Sequence, residues 1–188
     1  MKRILVVTSM ILAACGNKEE PETITGPKGE VFYKRVVADH LSDPWEITYG
    51  PDNFLWVTEA KGYRVSKINP ADGTRKILLD LNHAKNFTRY DQVKMGKDKD
   101  KPWPQGGLMG LALHPQLLGD NPYVYLAYVY NFSGADAENK GCAEKFGGCF
   151  YTTRIVKYKY DAKADTLKEL ELLCDTIPGS SDHNGGKV

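Results

Sequence analysis

Charge of one sign is what this 188-residue sequence most plainly lacks: 25 lysines and arginines stand against 24 aspartates and glutamates, a formal net charge of +1. A chain so balanced projects no field that gathers phosphates, which argues against nucleic acid as a partner. Nowhere from Glu30 onward do apolar residues recur at a helical period over several turns, so a helical bundle is excluded as well. The longest apolar stretch, Ile4 to Ala14, is too short to cross a bilayer as a mature helix. Phenylalanine is sparse beside tyrosine, 6 against 11, and histidine occurs only 4 times. What the chain has in quantity is tyrosine, 18 glycines and 10 prolines within a 41% apolar composition, which fits a turn-rich β-structure with an ordinary core.

The N-terminus carries a processing signal. Lys2-Arg3 precede the apolar stretch and small residues follow it, the order of an export signal. It ends Leu12-Ala13-Ala14-Cys15-Gly16, which resembles the bacterial lipobox. The resemblance implies cleavage before Cys15 and its diacylation, and several acyl chains hold a membrane stably where one is marginal. An ordinary secretory signal with a chance cysteine is the alternative. Gly16 stands where the inner-membrane retention signal usually has Asp, so the expected location is the bacterial cell envelope, periplasmic or outer-membrane, by a lipid anchor. With Cys15 assigned to lipid, Cys142, Cys149 and Cys174 remain in an oxidising compartment. Cys142 and Cys149 flank a short loop, and a disulfide between them would stabilise by roughly 2–3 kcal/mol. Cys174 sits among alternating apolar residues and reads as a small buried hydrophobe.

Residues 1–15 are therefore read as the lipoprotein signal, 16–29 as a charged, proline-containing flexible tether, and 30–188 as the folded part. Within that part a unit repeats. Trp45 to Asp52, a short strand into a turn, is followed by the strand-like runs Phe54 to Glu59, Val65 to Asn69 and Arg75 to Leu79, closed by turn residues. Met109 to Leu113, Tyr123 to Val129, Arg154 to Tyr160 and Leu170 to Leu173 repeat the order, and a third copy opens near Gly185. Four consecutive strands per unit are the mark of an all-β fold, the β-propeller. Insertions at Asn82 to Pro104 and Asn131 to Phe150 lengthen both units; Lys94 to Lys101, inside the first, mixes charge signs as a solvated loop does. A propeller closes with four to eight blades. About two blades and the start of a third are present, so the chain is expected to be the N-terminal part of a longer protein, C-terminally truncated, with its apolar blade faces otherwise uncovered.

Four histidines are the candidates for proton chemistry. His40 precedes a turn, His83 lies in a polar insertion, and His114, before Pro115, reads as a turn residue at a strand end. His183 differs, standing beside Asp182 in the turn-forming stretch Gly179 to Gly186 where the third unit's first strand begins. In a propeller that strand lines the central channel, and loops on a rigid sheet are where reactive groups sit. From the residues alone, a structural hydrogen-bonding histidine is the favoured reading.

Pro44 to Asp52, Phe54 to Glu59, Gln105-Gly106-Gly107-Leu108-Met109-Gly110-Leu111-Ala112-Leu113-His114-Pro115 and Asp182-His183-Asn184-Gly185-Gly186-Lys187-Val188 together resemble the first part of the soluble quinoprotein glucose dehydrogenases and aldose sugar dehydrogenases. That resemblance implies a six-bladed propeller with pyrroloquinoline quinone (PQQ) and calcium at the channel mouth, oxidation of an aldose at C1 to a lactone, and an external electron acceptor. It places His183 as general base and Gln105 and Asp182 as sugar-contacting residues. The chemistry is coherent: an imidazole that takes the hydroxyl proton while hydride leaves C1 lets the lactone carbonyl form, a contribution of about 10²–10⁴ in rate. A carboxylate accepts hydrogen bonds from sugar hydroxyls and an amide both donates and accepts. The family's cofactor-gripping basic residues and calcium ligands belong to later blades, so this polypeptide alone is expected to be inactive. Two other readings share the fold: a lipid-anchored propeller that binds without catalysis, and a metal-dependent sugar-lactone hydrolase, for which no early glutamate motif is present.

Overall fold

The computed structural model describes residues 22–84, 106–133, 150–179 and 184–188. Among these, every regular element is a strand. The chain separates into two units, residues 1–36 and 37–188.

In the first unit β1 (Glu22–Thr25) pairs antiparallel with β2 (Val31–Lys34). A strand thus lies inside the 16–29 stretch read as a tether. The sequence cause is local: Thr23, Ile24 and Thr25 favour extended backbone, and the tight turn at Gly26 to Gly29 is closed by the Gly29 amide donating to Gly26 O at 3.0 Å. Lys34 Nζ and Glu22 Oε2, 3.0 Å apart, tie the open end.

The second unit holds two four-stranded antiparallel sheets. In the first, β3 (Pro44–Tyr49), β4 (Leu55–Glu59), β5 (Arg64–Ile68) and β6 (Arg75–Asp80) lie side by side in chain order. In the second, β7 (Leu108–Leu113), β8 (Tyr123–Ser133), β9 (Phe150–Asp161) and β10 (Thr166–Gly179) do the same. Each is a propeller blade, built as the repeated strand pattern predicts. The turns fall on residues that tolerate positive φ, Asn53 at 63°, Gly73 at 76° and Asp165 at 53°.

The blades bury their facing sides against each other. Trp56, Val65, Leu78, Leu111, Leu126 and Val156 are within this core, and Trp56 meets Tyr160 edge-on at 5.0 Å between centroids. Hydrogen bonds cross the seam as well: Thr58 Oγ1 donates to Met109 O at 2.6 Å and Tyr63 OH to Val129 O at 2.7 Å. At its outer part the seam encloses a cation. Lys67 Nζ donates to Asp165 Oδ1 at 2.6 Å and to Tyr160 OH at 2.9 Å, with Asp52 Oδ2 at 3.5 Å and the Phe54 ring centroid at 4.6 Å.

Burial disfavours the Lys67 ammonium, but its bonds to Asp165 and Tyr160 outweigh that and raise its pKa above the ordinary lysine value. Burial also opposes ionisation of Asp165, and the same partners hold its pKa below the ordinary one. The raised lysine contributes stability that is complete below the unfolded lysine pKa and fades as pH climbs through the folded one. The lowered aspartate contributes stability that is complete above the unfolded carboxylate pKa and fades as pH falls through the folded one. Lys67→Met removes the cation that Asp165 and Asp52 share, while Asp165 keeps the Tyr160 hydroxyl and Lys76 and Asp52 keeps the Trp56 indole, and is expected to destabilise by roughly 1.5–3 kcal/mol. Denaturant titrations check this; the deficit should stay level from about pH 5 to about pH 9 and shrink on either side.

One expectation fails on the outer strand. Cys174 is exposed, not buried. Leu170, Leu172 and Leu173 beside it are exposed too, because β10 is an edge strand whose register slips three times against β9, so period-two alternation no longer sorts its residues into core and solvent faces. Cys174 is expected to react with a maleimide in the folded chain at a rate close to that in denaturant; peptide mass mapping reads it, and slow labelling until unfolding would restore the buried assignment.

Candidate active site at the channel mouth

Three segments come together at one end of the second unit. The first is Leu41 to Asp43, leading into β3; the second is Gly106-Gly107, leading into β7; the third is 184–188, which runs beside β7. Their approach is closer than side chains permit. A Cβ on Gly107, whose φ is +114°, would lie 2.0 Å from Ala60 O, and one on Gly110 would lie 1.7 Å from Gly186 O. The missing Cβ lets the Leu108 amide donate to Ala60 O at 3.0 Å, which ties the start of the second blade to the β4–β5 turn of the first.

Gln105, Asp182 and His183 lie outside the described residues, as do Cys15, Cys142, Cys149 and the Lys94 to Lys101 stretch. The residues that follow Gln105 and His183 in sequence are described, and they touch. Asn184 is 7% exposed, and its Nδ2 lies 2.9 Å from where a Gly106 Cβ would stand. Segments 78 positions apart in the chain are thereby brought to one place.

Beneath this mouth sits a residue that the sequence did not single out. Glu59, at the end of β4, is 0% exposed. Its Oε2 accepts from the Ser42 amide at 2.9 Å and its Oε1 from Ser66 Oγ at 2.9 Å, with Arg75 Nη1 at 3.6 Å from Oε1. Nothing in a strand-like run ending in glutamate announces this, since the usual place for a carboxylate at a strand end is solvent.

His114 lies past the far end of β7, where its Nδ1 accepts from the Gln116 amide at 3.1 Å, the turn role expected of it. A cleft of about 440 Å³ opens at that far end between Tyr49, Pro51, Leu113 and His114. A second cleft of about 440 Å³ runs between the blade face at Ala127, Thr153 and Ile155 and the 184–188 segment.

Among the described residues, no group of three His, Cys, Asp or Glu could hold a metal ion. The basic groups described near the mouth already have partners: Lys61 Nζ is 3.2 Å from Asp43 Oδ2, Arg64 Nε donates to Gly62 O at 3.3 Å, and Lys187 Nζ is 3.5 Å from Glu46 Oε1. None of the described residues is assigned to a grip for a polycarboxylate quinone.

Two adjoining four-strand antiparallel meanders that pack their faces together are blades of a β-propeller. The family model for glucose / sorbosone dehydrogenase matches residues 41–188, and the chain belongs to that family. Quinoprotein glucose dehydrogenase B of Acinetobacter calcoaceticus is 29% identical over 169 residues, which are 89% of this chain and 30% of the relative. Among solved structures, the PQQ-bound aldose sugar dehydrogenase of Streptomyces coelicolor shares the fold, with a TM-score of 0.54 and 24% identity over 81% of this chain and 36% of that one. The chain thus spans about a third of the length of the proteins it matches.

Proposed function

We propose that this chain supplies the first blades of an envelope PQQ-dependent dehydrogenase that oxidises the C1 hydroxyl of an aldose to a lactone. The observation that carries the reading is the contact of Gly106 with Asn184, which draws the two motif-bearing segments together within a family match over residues 41–188. Trp45, Ile47 and Tyr49, which alternate along one side of β3, are exposed, and so are Leu170, Leu172 and Leu173 at the other edge of the pair. Such rows support a blade stack continued by a longer protein.

In this reading His183 removes the C1 hydroxyl proton, and Gln105 and Asp182 hold the sugar by hydrogen bonds to its hydroxyls. PQQ, when bound, supplies the electron sink, and calcium accompanies it; both are held by residues of later blades. An external acceptor then takes the electrons. Acylated Cys15 anchors the protein in the envelope, and Cys142 and Cys149 form a disulfide.

The test is dye reduction by the full-length protein reconstituted with PQQ and calcium, across a panel of aldoses. Sugar-dependent reduction is expected, and none from the 188-residue chain alone. Sugar binding without any reduction would replace this reading with a non-catalytic binding propeller.

A further inference from the structure

We propose that Glu59 is the positioning residue of the mouth: its buried carboxylate sets where the backbone leading into both inner strands lies, and so where the sugar-contacting segments stand. The proposal rests on the functional reading above for its kinetic consequence, though not for its structural one.

The argument follows the bonds outward. A carboxylate at 0% exposure is costly unless its oxygens are satisfied, and here the Ser42 amide, the Ser66 hydroxyl and the Arg75 guanidinium converge on it. Through Ser42 it clamps the segment before β3 onto the β4–β5 turn, a clamp doubled by the Gly62 amide donating to Ser42 O at 3.3 Å and the Ala60 amide to Asp43 O at 2.7 Å. The next link is Ala60, whose carbonyl accepts the Leu108 amide at 3.0 Å and fills the space a Gly107 Cβ would need. Gly106, one residue earlier, packs on Asn184. Three hydrogen bonds, Ser42 N to Glu59 Oε2, Ala60 N to Asp43 O and Leu108 N to Ala60 O, thus connect the carboxylate to the junction that brings the two motif segments together. Lys67 makes an instructive contrast, because it bridges the same two blades at their outer part and has no bond to any of these segments.

Glu59→Leu keeps the volume and leaves the Ser42 amide and the Ser66 hydroxyl without their partner. Glu59→Gln keeps an acceptor for Ser42 and turns a donor toward Ser66 Oγ, which can accept. Amide hydrogen exchange on the chain is the first measurement. Glu59→Leu should speed exchange at Ser42, Ala60 and Leu108 by about tenfold or more beyond its effect elsewhere, Glu59→Gln should stay within about twofold of wild type, and Lys67→Met should show no preference for these three amides. Aldose kinetics of the full-length protein are the second. Glu59→Leu should raise KM by about tenfold, Glu59→Gln should restore it, and Lys67→Met should leave it unchanged.

Should Glu59→Leu not fold, Ser66→Ala, which removes one partner and leaves the carboxylate, should show the same exchange pattern at about threefold size. Uniform exchange across the second unit, Glu59→Gln behaving like the leucine variant, or an equal KM rise in Lys67→Met would overturn the proposal. A wild-type protein that reduces no dye would remove the dehydrogenase reading and leave the exchange result to decide on Glu59.

Discussion

His183→Ala in the full-length protein is expected to lower turnover by about 10²–10⁴-fold while leaving PQQ affinity within about twofold. The split follows from the role. A base that meets only the departing hydroxyl proton contributes in the transition state, whereas in the proposed reading the cofactor is held by groups in later blades. Stopped-flow dye reduction gives the first quantity and fluorescence titration of PQQ the second. The acid limb of the kcat/KM profile that an imidazole base imposes should vanish in the variant. Turnover at the wild-type level would remove the base role, and equal loss of PQQ affinity would make His183 a structural residue of the mouth.

Gly107→Ala should be the most destabilising of the single-methyl additions at the seam between the blades. Its φ of +114° is one that side chains rarely adopt, and the new Cβ would lie 2.0 Å from Ala60 O and 2.7 Å from its carbonyl carbon. Backbone is on both sides of the clash, so relief requires moving the β4–β5 turn or giving up the Leu108 amide bond to Ala60 O. A strained conformation costs about 1–3 kcal/mol and a lost buried hydrogen bond about 1–3 more, so a loss of roughly 3–5 kcal/mol is expected. In a chain of this size that lowers Tm by roughly 10 °C. Gly185→Ala is the matched control: a Cβ there meets nothing within 4 Å, and stability should change by less than about 0.5 kcal/mol. A Gly107→Ala variant as stable as that control would refute the close approach of the two blades.

The blades were legible residue by residue. Leu55 to Glu59 opens on an apolar run of strand length, and the turns around Asn53, Gly73 and Asp165 carry residues that tolerate positive φ, whereas the β4–β5 turn puts its positive φ on Tyr63, which no turn rule marks. The hairpin at Glu22 was missed because its side chains are all exposed, so no buried face marks its alternation against the charged sequence around it. Cys174 was misread for the opposite reason. It has the right neighbours for a core strand, and only its place on the edge of the second blade exposes it.

By itself the sequence determined what local physics decides: strands from period-two patterning, turns from residues that tolerate unusual backbone angles, and two copies of a four-strand unit from their order. The candidate base and sugar contacts were named from a motif, because a motif is local too. Only the tertiary structure decided that Gly106 meets Asn184, that Glu59 is buried beneath them, and that Lys67 is enclosed between blades. Ser42 and Ser66 lie 17 and 7 positions from Glu59, and Asp165 lies 98 from Lys67. Whether a carboxylate or an ammonium is solvated or enclosed depends on which distant strands close over it, and packing, not composition along the chain, makes that choice.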